Sequence, residues 1–209
     1  MIYKRKAVHL TSAHPRFDTR IFIKECSSLY KAGYEVVLIV ADGKGDEIKN
    51  NIRIIDVNKD CNQSKINRIF NLSKLVYKAA LKEEGDVYHF HDPELMYAGI
   101  KLKKAGKKVI YDIHEDLPRQ ALAKEYIPKF LRTTLSVLIE LYENWLVKKF
   151  DAAITATPFI NERIIKLNPN TVNINNFPIL GELAMSDVGI EKENAICFVG
   201  GIDQQRGIK

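Results

Sequence analysis

The sequence predicts an α/β protein built on a doubly wound, mainly parallel sheet with helices on both faces. Strand-like and helix-like segments alternate along the chain with short links between them. The run Glu35–Ala41 (EVVLIVA) is almost wholly apolar and β-branched, which suits a strand covered on both sides. Asp92-Pro93 and Thr157-Pro158 each set a capping oxygen before a proline, marking helix starts directly after strands.

In chain order, Lys6–Thr11 reads as the first strand. Ile21–Ala32 repeats Phe22, Cys26, Leu29 and Tyr30 at helical spacing, and Gly33 is the stop. Glu35–Ala41 and Asn51–Val57 are strands. Ser64 can cap a long helix to about Glu84. Asp86–His91 is a strand, then a helix runs from Asp92-Pro93 to about Lys104, ended by Gly106. Lys108–Asp112 is a strand, followed by a loop and a long helix from Pro128 to Lys149. In that helix Leu131, Leu135, Leu138, Tyr142 and Val147 are expected to face the core. Asp151–Thr155 is a strand, the next helix starts at Thr157-Pro158, and Thr171–Ile174 is a short strand. Asn175–Asn194 breaks this rhythm with Asn175-Asn176-Phe177-Pro178, Gly181 and Gly189, as a link between domains does. Ala195–Val199 (AICFV) then starts a new buried-type strand. The expected domains are therefore 1–175, a connection 176–194, and at 195–209 the first strand and loop of a second domain cut short.

Composition excludes several classes. The 46% hydrophobic and 28% charged residues, with nine Tyr and nine Phe spread through the chain, argue against disorder. Cys26, Cys61 and Cys197 are far apart and form no CxxC pair, so a disulfide framework is not expected and a reducing compartment is. Cys26 reads as a small core residue. Met1–Lys6 lacks the apolar stretch of a signal peptide, and no run approaches the roughly 20 residues of a membrane span, so a cytoplasmic location is expected. The net charge is +6, with Lys101, Lys103, Lys104, Lys107 and Lys108 clustered. These read as a solvated helix end, or alternatively as attraction to an anionic membrane leaflet. No aromatic residues interleave with them, so nucleic acid is not expected.

In open parallel sheets, ligands bind beyond the carboxyl ends of the strands. The residues there are rich in chemistry: His14, Arg16, Asp18 and Arg20 after the first strand, His91, Asp92 and Glu94 after Phe90, and His114, Glu115, Asp116 and Arg119 after Asp112. Three of the five histidines fall on this one rim. His9 and His89 lie inside strands and read as core histidines. Asp92 reads first as a helix cap, and Asp18 and Arg20 can pair with each other while ordering their loop. His114, where the chain leaves the sheet, is the best catalytic candidate. His89 and His91 share a strand face, but the sequence offers no third ligand at metal spacing, so no metal is expected. Thr11-Ser12-Ala13-His14-Pro15 stands where a GxGxxG fingerprint would be, which argues against a dinucleotide cofactor.

Four segments together resemble glycosyltransferase family 4. They are His14-Pro15-Arg16-Phe17-Asp18-Thr19-Arg20-Ile21-Phe22-Ile23-Lys24-Glu25, His89-Phe90-His91-Asp92-Pro93-Glu94-Leu95, Tyr111-Asp112-Ile113-His114-Glu115-Asp116, and Phe198-Val199-Gly200-Gly201 with Arg206-Gly207-Ile208. The resemblance covers essentially the whole chain. It implies a GT-B architecture in which two Rossmann-like domains face each other across a cleft. The amino-terminal domain would hold the acceptor and the carboxyl-terminal domain a nucleotide-sugar co-substrate, with no cofactor, no bound metal and retained anomeric configuration. His114 matches the histidine that contacts the donor sugar. Gly200, Gly201 and Arg206 match the loop that meets the donor diphosphate. Arg16, Asp18 and Arg20 replace the glycine-rich first loop of other members, and with His14, His91, Asp92, Glu115, Asp116 and Arg119 they are expected to line the acceptor cleft.

The expected function is a sugar transfer to a glycan or lipid-linked acceptor in cell-surface polysaccharide synthesis, at the inner face of the plasma membrane. The 209 residues are expected to be inactive without the rest of the donor half. The alternatives are a non-catalytic sugar- or phosphate-binding module and a membrane-docking module.

Overall fold

A computed structural model of the protein describes residues 4–57, 65–124, 126–181 and 194, and for residues 65–70 the backbone alone. Eight strands form one sheet: β1 (Lys6–Leu10), β2 (Glu35–Val40), β3 (Glu47–Lys49), β4 (Ile52–Asp56), β5 (Val87–Phe90), β6 (Val109–Ile113), β7 (Ala152–Thr155) and β8 (Thr171–Asn173). Their order is β3-β4-β2-β1-β5-β6-β7-β8, and every pair is parallel except β3–β4. The expected fold class is the observed one. The sheet also contains β3, a short antiparallel edge strand beyond the expected set. Asn50 and Asn51 both take positive φ between β3 and β4, the two-residue turn that suits the twist of an antiparallel hairpin.

Alternation along the strands divides the core in two. Val37 and Ile39 of β2 join Val8, Leu10, Tyr88, Phe90 and Tyr111 beneath helices α2 (Lys65–Lys82), α3 (Met96–Lys104), α5 (Lys129–Val147) and α6 (Pro158–Ile164). Val36, Leu38 and Val40 turn the other way and meet Ile21, Phe22 and Cys26. Those three sit on a π-helical segment, Thr19–Cys26, that runs on into α1 (Ser27–Lys31). Ile23 N–H bonds the Asp18 carbonyl five residues back, the signature of the wider coil, and Gly33 ends the helix with φ +93°. Cys26 is fully buried, as expected.

Two helix expectations need correction. The loop after β6 contains α4 (Leu117–Ala123). In α5 the core-facing side is Ser136, Glu143, Leu146 and Val147, not the stripe of Leu131, Leu135, Leu138 and Tyr142. Glu143 explains the rotation: it is buried because Arg163 and Tyr111 bond its carboxylate from α6 and β6. Leu138, 58% exposed, and Trp145, 56% exposed, are left on the outer face. Among the described residues no helix is long and apolar enough to cross a membrane. The basic cluster is partly engaged, with Lys103 bonded to Asp151 and Lys101 over the Tyr97 ring. Residues 176–181 begin the expected connection, held to the π-helix where Lys24 Nζ donates to Asn176 and to the Phe177 carbonyl. The expected second-domain strand, with Gly200, Gly201 and Arg206, lies outside the described residues.

Candidate active site

The carboxyl ends of β1, β5 and β6 are adjacent in the sheet, so the loops that leave them meet. There a hollow of ≈ 270 Å³ is lined by His14, His91, Asp92, Glu94, Tyr111, His114 and Glu115, with Ala13, Pro93 and Leu117. The three rim histidines thus share one space. The rings of His14 and His114 meet edge to face at 5.0 Å between centroids, and His91 lies 5.4 Å from His114.

Asp92 organises the first loop. Its side chain makes no helix-cap bond, so the capping expectation was wrong about its role. Instead Oδ2 accepts from Thr11 Oγ1 at 2.7 Å, Ser12 N at 2.6 Å and Ala13 N at 3.2 Å, while Oδ1 lies 2.7 Å from His14 Nδ1. One carboxylate therefore pins the loop that occupies the position of a glycine-rich turn. Burial favours the neutral acid, but the bonds from His14, Ser12 and Thr11 outweigh it and hold the carboxyl at about 2. The His14 imidazole is raised in turn, chiefly by that hydrogen bond.

Asp112 does the same beneath His114. It is the one charged residue inside the apolar strand β6 and is fully buried. Its Oδ2 lies 2.8 Å from His114 Nε2 and 3.2 Å from His91 Nδ1. Arg20 donates from Nε to Oδ2 at 2.9 Å and from Nη2 to Oδ1 at 2.8 Å. Burial pushes this carboxyl up, but the bonds from His114, His91 and Arg20 prevail and keep it well below the usual carboxylate range. His114 thus turns Nε2 toward Asp112 and carries Nδ1 on the other side of its ring.

The other expected cleft residues take supporting positions. Arg16 is buried among Asp42, Glu47 and Asp56, outside the hollow. Asp18 caps the π-helix by accepting from the Arg20 and Ile21 backbone amides, at 2.8 and 2.9 Å, and does not pair with the Arg20 guanidinium. Arg20 lies beneath the site, on Asp112 and the Ile174 carbonyl. Asp116 and Arg119 belong to a network with Arg163 and Glu140 on the α4–α6 side. The expectation that these five line the cleft is corrected, since none of them lines the hollow: Arg16 and Arg20 are buried charges drawn to carboxylate partners inside the domain, Asp18 is spent on the helix cap, and Asp116 and Arg119 pair toward Arg163 and Glu140. Glu94, singled out at the rim, does line the hollow, whereas Asp112 and Tyr111 were missed as site residues. A lone aspartate in an otherwise apolar strand was the available signal for Asp112.

His89 and His91 have neighbours that their spacing in the sequence does not reveal. Sequence spacing cannot see across strands, and the sheet brings His9 of β1 and Glu25 of the π-helix to them. A second group, His91, Asp112 and His114, shares His91.

A profile described as Glycosyltransferase Family 4 matches residues 21–174, well over half of the chain. A comparison with curated proteins finds no match. Among solved structures, sucrose-phosphate synthase (tll1590) from Thermosynechococcus elongatus superposes with a TM-score of 0.60 at 14% identity, covering 82% of this chain and 48% of that one. A glycosyltransferase from Rickettsia africae ESF-5 gives 0.52 at 16%, over 82% and 43%. UDP-N-acetylglucosamine 2-epimerase from Rickettsia bellii gives 0.51 at 15%, over 82% and 44%. The chain spans less than half the length of these three proteins. At such identities the likeness concerns the fold, which a transferase and an epimerase share.

Proposed function

The chain belongs to glycosyltransferase family 4, and from that premise we propose that it forms the acceptor half of an enzyme that transfers a sugar from a nucleotide-sugar to a glycan or lipid-linked acceptor. The observation that carries this reading is the convergence of His14, His91 and His114 on one hollow at the tips of β1, β5 and β6. Sugar transfer passes through a cation-like sugar while the departing diphosphate gains charge. His114, oriented by Asp112, contacts the donor sugar at the reacting centre. His14, His91, Asp92 and Glu115 offer polar groups to acceptor hydroxyls. Gly200, Gly201 and Arg206 meet the diphosphate, the glycines allowing close backbone approach and the arginine supplying positive charge. The reaction retains anomeric configuration, requires no metal at the diphosphate, and serves cell-surface polysaccharide synthesis. Arg16, Asp18, Arg20, Asp116 and Arg119 act by holding the hollow's walls.

The test uses a protein that carries the second domain as well, screened against a panel of sugar nucleotides by thermal shift and product analysis, since a ligand that binds the folded state raises its midpoint. Transfer of one sugar with retention supports the reading. Hydrolysis or epimerisation without transfer contradicts it.

A second reading concerns location and is compatible with the first. The outer face of α5 exposes Phe130, Leu138, Leu141 and Trp145, and Lys149 Nζ stands 4.4 Å above the Trp145 ring. An amphipathic helix with aromatic residues and a basic end suits the interface of an anionic membrane. Co-sedimentation with anionic vesicles, lost in Trp145→Glu and weakened by salt, tests it. Equal recovery with and without vesicles contradicts it.

A further inference from the structure

The two nitrogens of His91 face different neighbours. Nδ1 points to Asp112 and the hollow. Nε2 points to a buried group that the proposed transfer does not use. His9 Nδ1 is 3.0 Å from His91 Nε2. His89 is directly opposite His9 in the β1–β5 register, and its ring is 4.5 Å from that of His91. Glu25 enters from the π-helix. Its Oε2 lies 3.9 Å from His9 Nδ1, 3.8 Å from His89 Nδ1 and 3.8 Å from His91 Nε2. One carboxylate oxygen is therefore almost equidistant from three imidazole nitrogens. Both Glu25 oxygens are buried without a hydrogen bond, as are His9 Nε2 and His89 Nε2.

We propose that His9, Glu25, His89 and His91 form a binding site for one divalent transition-metal ion of the zinc class. Three imidazoles and one carboxylate are a donor set such ions take. A tetrahedral ion with bonds of about 2.0–2.1 Å holds its ligand atoms roughly 3.3–3.4 Å apart. The measured separations of 3.0 to 3.9 Å bracket that value, and all four ligand atoms lie within 4.8 Å of one another.

The surroundings fit as well. Burial holds His9, His89 and His91 neutral, the form that ligates. The same burial, with the charge of Asp112, pushes Glu25 up to about 9 against the pull of Arg20, so a cation among these ligands would favour its ionised form. Arg20 is near, with Nε 3.2 Å from Oε1, but it donates its hydrogen bonds to Asp112. A proton shared between His9 and His91 satisfies those two atoms and leaves Glu25 unserved. The carboxylate behind His91 Nδ1 is the outer partner that fixes a ligating imidazole. A cavity of ≈ 460 Å³ lined by His9, Glu25 and His89 gives an entry path. The ion would then brace His91 and, through Asp112, the orientation of His114. The site stands whether or not the chain transfers sugars.

The test is metal binding by the 209-residue chain after chelator treatment and dialysis. The expected result is one equivalent of Co²⁺ with the intense visible bands of a tetrahedral site, displaced by Zn²⁺, and a Zn²⁺-dependent rise in melting midpoint. Glu25→Gln and His89→Ala should abolish the spectrum, and His114→Ala should keep it. The proposal is overturned if the wild-type chain binds no stoichiometric Co²⁺ or gives the weak bands of an octahedral ion. It is equally overturned if both Glu25→Gln and His89→Ala bind like wild type, or if His114→Ala abolishes binding. The wild-type result decides the question even if a variant does not fold.

Discussion

Arg20 grips both carboxylate oxygens of Asp112, at 2.9 and 2.8 Å, across 92 residues of sequence. The pair joins the π-helix to the middle of the sheet and sets the floor under His91 and His114. Both groups are buried, so the bond matters less for what it adds than for what its loss would expose.

Arg20→Ala therefore leaves Asp112 as a buried charge without its two-pronged cationic partner, with only His91 and His114 beside it. The expected cost is about 3–5 kcal/mol in unfolding free energy, measured by urea titration. Arg20→Lys should recover only part of it, because an ammonium cannot make the two-pronged bond. Full stability in either variant would mean that the pair does not support the fold.

Arg16 makes acid stability testable at a second place. Its hydrogen bond holds the Asp42 carboxyl below the ordinary value against a smaller opposing effect of burial. A carboxyl lowered in the folded state adds stability above its unfolded value, about 3.9, and loses it as pH falls through the folded value. The domain should thus lose stability below roughly pH 4, and Arg16→Met should flatten that part of the curve. The measurement is the melting midpoint from pH 6 to pH 2.

Gly99 in α3 marks a close approach. A Cβ there would sit 2.8 Å from Phe90 Cε1 and 3.1 Å from Phe150 Cε1, both in rigid rings of the core. Gly99→Ala gains helix propensity, about 1 kcal/mol, and still should destabilise the domain through overpacking, typically 1–3 kcal/mol. A melting midpoint at or above the wild-type value would refute the crowding.

Leu138→Lys on α5 should behave in the opposite way. The side chain is mostly exposed, so the change should stay within about 0.5 kcal/mol in denaturant unfolding. A large loss would restore the core-facing stripe that the sequence suggested.

The contrast between these positions shows what the sequence could reveal. Alternation of strand and helix, the run EVVLIVA and the Thr157-Pro158 start led to the parallel sheet, and Thr157 does cap α6 by accepting from Ile160 N. Placing His14, His91 and His114 after parallel strands was enough to bring them together. Partnership was harder to read. The 3.6-residue pattern of α5 points Leu131 and Leu138 inward, yet Glu143 decides the rotation because Arg163 awaits it on another helix. Arg16 and Asp42 are 26 residues apart, and Glu25 meets His89 only after two crossovers. Local periodicity carries no information about such pairings, which depend on the strand order. Lys49-Asn50-Asn51 was a missed local signal: two adjacent asparagines between short strands suit a tight hairpin.

The shared hollow at the strand tips is the place where we propose a sugar is handled. The most direct measurement is transfer kinetics in a protein carrying the second domain, with wild type compared to His114→Ala under saturating sugar nucleotide. The expected result is a variant still folded at the assay temperature, with a turnover number lower by about a hundredfold or more. Turnover by His114→Ala at the wild-type rate would contradict it.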